Sequence, residues 1–311
     1  MNQLLQQPAV ATTSSSAAIP ACFQDDKIAR YAANKHRGGS SGKKGSRYED
    51  VFIGYKVAEI ASSRVGAPSD PWPSVAGQTE EFVDDALIRH QDRVQYFQLK
   101  NVQNITWTGG DHPLETDFSL QYRLACFQGH PSPTTTLVVP DQALQAKLQA
   151  TMPAAISGYS DVQFFPYSDT INRLVLENSS LHAALGTLSR SRAPHIDELV
   201  GVLWVLTAAG NDFAGEVSVE QVLHAAARFV PNQLRTVGIT VPVVLRTAFA
   251  EIVDRIAGLK YDVSQGFFSW DAFGTSGIFD FDCAAPQFED FQKLIEQENP
   301  TTFERFEELL P

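Results

Sequence analysis

The sequence predicts an α/β fold over roughly its first half and an α-helical domain after it. Three observations carry that reading. Apolar residues alternate with period two over Phe82–Ile88 and Val94–Lys100, the signature of a hairpin turning at Arg89–Arg93. Around that hairpin, helical apolar spacing and short apolar runs take turns along the chain. Beyond about residue 169 the spacing is helical throughout.

Taken in order, residues 1–26 read as a flexible N-terminal arm rich in Ala, Ser, Thr and Gln. From Lys27 to Tyr48 there are seven basic residues and no acid, with a Gly/Ser run between them. Arg47–Arg64 is a predicted amphipathic helix burying Val51, Tyr55, Ala58, Phe52 and Ile60, with Glu49 near its start. Gly66–Gly77 is expected to be a Pro-rich loop with Trp72 as a core plug or a base-stacking residue, the core plug being favoured. After the hairpin, Asn101–Trp107 extends the strand or begins another, and Gly109-Gly110 and Pro113 break it. A helix over Leu114–Gln128, a strand over Thr135–Val139, a helix over Gln142–Met152 and a strand over Val162–Phe165 complete this part.

The later helices are expected over Ile171–Leu188, His195–Ala209, Val219–Phe229, Leu245–Ile256 and Phe288–Glu296, with Ser218 and Gln221 forming a capping box. The aromatic stretch Phe267–Phe281 fits an exposed docking surface or the packing of two helices, the second reading being favoured. The acidic end, with Phe303, Phe306, Leu309 and Leu310 at helical spacing, reads as a partner-binding helix. The domain boundaries that follow are 1–26, 27–167 and 168–311, the last a regulatory or partner-binding domain.

Composition narrows the function classes. Hydrophobic content of 43% and charged content of 19% are those of an ordinary globular chain. A net charge of −12 argues against a uniformly basic coat for nucleic acid, though not against a local basic patch. The three scattered cysteines, Cys22, Cys126 and Cys283, suit reduced thiols in a cytoplasmic protein. No apolar run is long enough to span a bilayer, and the start lacks the features of a secretory signal, so no membrane partner is expected. His182, His195 and His224 lack ligand spacing.

The chemistry concentrates on the hairpin. Residues two apart on a strand share a face, so Gln98 and Lys100 point one way while Phe97 and Leu99 point into a core. Asp84 and Asp85 stand on the partner strand, and a one-residue register slip exchanges their faces. A surface ion pair on a solvated hairpin would have this pattern; so would a phosphodiesterase site. There an aspartate supplies an anionic oxygen to Mg²⁺ or Mn²⁺, Gln98 a second ligand or a water-orienting amide, and Lys100 a charge for the nucleophile or phosphate. Glu49 supplies a further acid, and also fits a plain first-turn role. The basic stretch, through Lys35, Arg37, Lys43, Lys44 and Arg47, would grip a phosphate backbone.

The motif Asp85…Gln98-Leu99-Lys100, preceded by Gly45-Ser46-Arg47-Tyr48-Glu49 and its helix, resembles the PD-(D/E)xK nuclease superfamily. The likeness is to the branch with Gln before xK, which includes the double-stranded DNA nuclease domains of CBASS antiphage effectors, and it covers about residues 40–167. The resemblance implies a mixed-sheet, restriction-endonuclease-like core of order α-β-β-β-α-β. It implies catalysis by Glu49, Asp85, Gln98 and Lys100, with Asp84, Asp85 and Gln98 as metal ligands. It favours Asp85 over Asp84, because Ala86-Leu87-Ile88 follows it. It further implies an antiphage endonuclease acting on double-stranded DNA. The helical part carries no evident sensor motif, so control is expected from a regulatory subunit, such as an ATPase, or from homo-oligomerisation. The alternative is a catalytically inactive scaffold or DNA-binding subunit of the same fold.

Overall fold

The computed structural model describes residues 15–25, 27–28, 30–32, 43–65, 71–79, 81–110, 112–168, 170–191, 193–229, 234–235, 245–264 and 266–311. The fold is mixed α/β. The chain divides into two compact units, Met1–Glu49 with Ala76–Phe165, and Asp50–Val75 with Pro166–Pro311. A mixed sheet takes β1 (Ser74–Gly77), β2 (Ala86–Arg89), β3 (Val94–Leu99), β4 (Pro133–Val139), β5 (Ser160–Phe164) and β6 (Val217–Ser218) in the spatial order β5-β4-β3-β2-β1-β6.

In the first unit β2 and β3 form the expected antiparallel hairpin, closed by His90 N–H donating to Arg93 O at 2.9 Å. β3, β4 and β5 then run parallel. Parallel neighbours need crossovers, and α3 (Leu114–Phe127) and α4 (Gln142–Ala150) supply them. Asp141 caps α4 by accepting from Leu144 N–H at 2.7 Å. Thr135–Val139 is buried at every position, as a parallel strand covered on both faces should be. Val94, Tyr96, Leu137 and Val139 join Phe118, Leu144 and Leu148 in one core, on the same side of β3 as Gln98. Phe97 and Leu99 are buried on the other side, so both faces of this strand are covered.

Two boundaries differ from the sequence reading. The strand expected over Phe82–Ile88 is regular only from Ala86, and residues 81–85 are an irregular turn. The additional strand of this region precedes the hairpin, as β1, and no strand forms over Asn101–Trp107. The end of the expected N-terminal arm, Ser15–Phe23, is helix α1, with Ala18 and Ile19 buried against Phe82, Leu120 and Leu124. Helix α2 (Lys43–Ser63) begins in this unit, where Tyr48 Oη donates to Phe165 O at 2.8 Å.

In the second unit, α5 (Ile171–Glu177), α6 (Ser179–Leu188), α7 (Ile196–Asn211) and α8 (Val219–Phe229) fall close to the predicted helices. Asn178 splits the first of these into two, its side chain capping α6 through Leu181 N–H at 3.0 Å. Ser218 and Gln221 exchange the capping-box bonds, each at 3.2 Å. Trp72, expected as a core plug, is half-buried, with the Arg64 guanidinium 5.6 Å above its ring. The aromatic stretch is not two packed helices. It is an antiparallel meander of β7 (Lys260–Ser264), β8 (Phe267–Ala272) and β9 (Thr275–Ile278).

The Phe273-Gly274 turn joining β8 and β9 has φ 51° and 87°, the left-handed pair that a two-residue hairpin loop needs. Helices α9 (Thr247–Arg255), α10 (Pro286–Glu298) and α11 (Phe303–Glu307) pack on the meander through a cluster of phenylalanines centred on Phe249, Phe268 and Phe291. Phe303 and Phe306 are buried in that cluster, so the apolar face of the acidic end serves its own core. Among the described residues, no helix is long and apolar enough to cross a membrane.

Candidate active site

The site is built where β2 and β3 part. Ala86 lies opposite Phe97 and Leu87 opposite Tyr96. Carried one residue past the strand, that register sets Asp85 opposite Gln98, and opposite residues of an antiparallel pair share a face. The side chains meet, Gln98 Nε2 donating to Asp85 Oδ2. Lys100, two residues on and on the same face, brings Nζ to 3.9 Å from that oxygen.

A second hydrogen-bond donor comes from the backbone. The N–H groups of Val94 and Lys100 donate to Pro131 O and Val138 O, toward β4. Alternation therefore turns the N–H of Leu99 toward β2. There it donates to Asp85 Oδ2 at 2.6 Å. A side-chain oxygen thus takes the place of a ladder carbonyl. Asp84, Asp85 and Gln98 are buried, while the Lys100 side chain is 35% exposed. A carboxylate removed from water needs such donors, and here its own chain provides them. Lys100 is thus the most solvent-exposed member of the set.

Of the two aspartates, Asp85 is the one that meets Gln98 and Lys100. Asp84 is buried beside it, its carbonyl accepting from Thr79 N–H at 2.8 Å. Glu49 reaches this turn through Gln78, whose Nε2 donates to Glu49 Oε2 at 2.6 Å. Gln78 N–H also donates to Asp85 O at 3.3 Å, from a left-handed backbone with φ 54°. Gln78 therefore ties the first turns of α2 to the backbone of Asp85. Of the basic residues, Lys35 and Arg37 lie outside the described residues, as do the side chains of Lys43 and Lys44. Arg47 is exposed on α2.

Sequence reasoning missed a second layer. Gln121, on α3, is fully buried. Its Oε1 accepts from Phe82 N–H at 2.9 Å and Val83 N–H at 3.1 Å, and its Nε2 donates to Glu81 Oε2 at 2.7 Å. The signal was present: Gln121 falls three residues after Phe118 and four before Ala125, within the apolar stripe of the helix. An amide at such a position has to be satisfied by something. The neighbouring Phe82 ring meets Phe23 edge-on at 5.6 Å and stacks with Tyr31 at 6.4 Å. Tyr31 Oη in turn donates to Asp117 Oδ1 at 2.7 Å, and burial with that bond pushes its hydroxyl well above the usual phenol range.

Among the described residues, no three His, Cys, Asp or Glu side chains gather closely enough to hold a metal ion by themselves. The donor set is one carboxylate, Asp85, with the Gln98 amide beside it and Asp84 next in the chain. Mg²⁺ is commonly held by one or two carboxylates, with waters and substrate phosphate completing its shell, and the set suits that mode rather than an all-protein cage. Turning the Gln98 amide about its last bond would present Oε1 where Nε2 now lies. No family model, curated protein or solved structure matches the chain.

Proposed function

We propose that the chain is a Mg²⁺- or Mn²⁺-dependent endonuclease acting on double-stranded DNA. The observation that carries this reading is the meeting of Asp85, Gln98 and Lys100 on one face at the fork of β2 and β3. The order α2, β1, β2, β3, α3, β4 adds support, because it is the α-β-β-β-α-β order of the restriction-endonuclease-like core that the motif resembles. In the reaction a water oxygen bonds to phosphorus, the bond from phosphorus to one deoxyribose oxygen breaks, and that oxygen takes up a proton. Lys100 offsets the charge gathering on the phosphate oxygens. Asp85 and Gln98, with Asp84 beside them, are the residues that would hold the ion, and Glu49 orients the turn through Gln78. The bound ion supplies Lewis acidity and a more acidic water.

In the fuller reading the chain is a cytoplasmic effector of antiphage defence. Its cutting is released by a regulatory subunit, such as an ATPase, or by self-assembly. Incubating supercoiled plasmid with the full chain and Mg²⁺, Mn²⁺ or EDTA tests the activity. Divalent-dependent nicking supports the proposal; none by the full chain in any assembly state removes it.

A second reading has its own observation. Asp85 already serves as a structural acceptor for two donors, with Lys100 as an ion-pair partner, which a catalytically inactive scaffold of this fold would also need. A Mn²⁺ titration without binding at Asp85, in a folded chain that still assembles, favours that reading.

A further inference from the structure

We propose that Gln121 is a positioning residue for the candidate site, holding the 81–85 turn so that Asp85 meets Leu99 and Lys100; its catalytic consequence rests on the nuclease reading above. Gln121 is fully buried on a helix face that also carries Asp117, Phe118, Leu124 and Ala125, and a buried amide there needs partners that an apolar side chain would not. Its three hydrogen bonds go to three consecutive residues, Glu81, Phe82 and Val83. That segment ends one residue before the Asp84-Asp85 pair.

The bonds answer a specific need. Residues 81–85 are irregular, and the Phe82 and Val83 N–H groups are buried outside any ladder. Such groups require acceptors, and one amide oxygen supplies both. The donor side of the same amide fixes Glu81, which sets the amide's orientation. Across the turn, Thr79 N–H and Gln78 N–H hold the carbonyls of Asp84 and Asp85. The aspartate pair is thus fastened from both sides, and Gln121 is the fastening on the α3 side. Gln121 makes these bonds from the interior, so it acts through Asp85 and touches no substrate.

The test uses the full chain and three variants: Gln121→Leu, Gln121→Glu, and the exchange Glu81→Gln with Gln121→Glu. The exchange restores a donor facing an acceptor, whereas Gln121→Glu alone sets two carboxylates together. Two readouts are taken. Amide hydrogen exchange, resolved to single residues, reports on Leu99, whose N–H is held by Asp85 Oδ2; Lys100, held by Val138 O, is the internal control. Plasmid cleavage gives kcat and KM.

Gln121→Leu and Gln121→Glu are expected to speed exchange at Leu99 by about tenfold or more while leaving Lys100 unchanged. They are expected to lower kcat by about tenfold or more with KM little altered. The exchange variant returns both toward wild type. Unchanged Leu99 protection in the single variants, or no recovery in the exchange variant, overturns the proposal. If Gln121→Leu does not fold, the comparison of Gln121→Glu with the exchange variant decides. If the wild-type chain cuts no DNA, the nuclease reading falls, while protection at Leu99 still decides the role of Gln121.

Discussion

Lys100 Nζ stands 3.9 Å from Asp85 Oδ2, and the backbone N–H of the intervening Leu99 donates to the same oxygen at 2.6 Å. The two contacts differ in kind. The ammonium is partly exposed and held loosely, whereas the amide is buried and held tightly. They predict different outcomes when each partner is removed.

Lys100→Ala is expected to abolish divalent-dependent plasmid cleavage, lowering the rate by about a hundredfold or more, as loss of a charge-stabilising donor does. Because the ion pair is half-open to water, unfolding free energy should move by no more than about 1 kcal/mol. Urea unfolding and a nicking assay on the same preparation check both. Undiminished cleavage by a folded Lys100→Ala chain would remove Lys100 from the mechanism.

Asp85→Asn is expected to cost stability as well as activity. The charge-assisted bond from Leu99 N–H weakens, and the new amide group brings donors toward Leu99, Gln98 and Lys100. A loss of about 1–3 kcal/mol follows for such a buried acceptor. Equal urea midpoints for the variant and wild type would contradict the structural half of this assignment.

The Cys283 thiol sets an alkaline limit in the second unit. Burial, with Asp282 adding to it, pushes the thiol up from its ordinary value near 9 to about 12. A group whose folded value is raised keeps its contribution below the unfolded value and loses it as pH climbs through the folded one. Stability should therefore fall between about pH 9 and pH 12, and Cys283→Ala should flatten part of that fall in melting curves. At pH 8, iodoacetamide should label exposed Cys126 before Cys283 in the native chain, as mass spectrometry would record. Equal labelling rates would contradict the burial argument.

Gly258 has φ 82°, and a Cβ there would lie 2.5 Å from Cζ of Phe273. Phe273 itself sits at φ 51°, with its ring 5.7 Å from that of Phe303. Gly258→Ala should cost at least about 1 kcal/mol, from backbone and ring together. Phe273→Ala in the same background should recover part of it. Additive losses in that pair of variants would show that the ring and the glycine do not share the space.

Much of the first unit was legible in the sequence, and the misses have physical causes. The hairpin announced itself because Leu87, Val94 and Tyr96 face one core while Phe97 and Leu99 face the other side. β1 was hidden because Ser74-Val75-Ala76-Gly77 is only four residues long, follows Pro71 and Pro73, and gains its strand character from neighbours. The meander was hidden because Phe267 and Phe268 are both buried, which erases the alternation that marks a half-exposed strand. At the site, residue types and spacing pointed to Asp85, Gln98 and Lys100. Gln78 did not stand out, since an amide reads as surface until its partner, here Glu49, is known to lie beside it; Gln121 was marked only by its place in the apolar stripe of α3.

Asp85 terminates a strand ladder with a side chain, and that double duty bears on how such a chain could drift over generations. On the nuclease reading proposed above, a lineage that had stopped cutting DNA would keep this aspartate because folding still calls on it, whereas the loosely held lysine at position 100 would be replaced freely. An aspartate retained at 85 therefore says little about whether a descendant is alive as an enzyme. The companion lysine is the better marker.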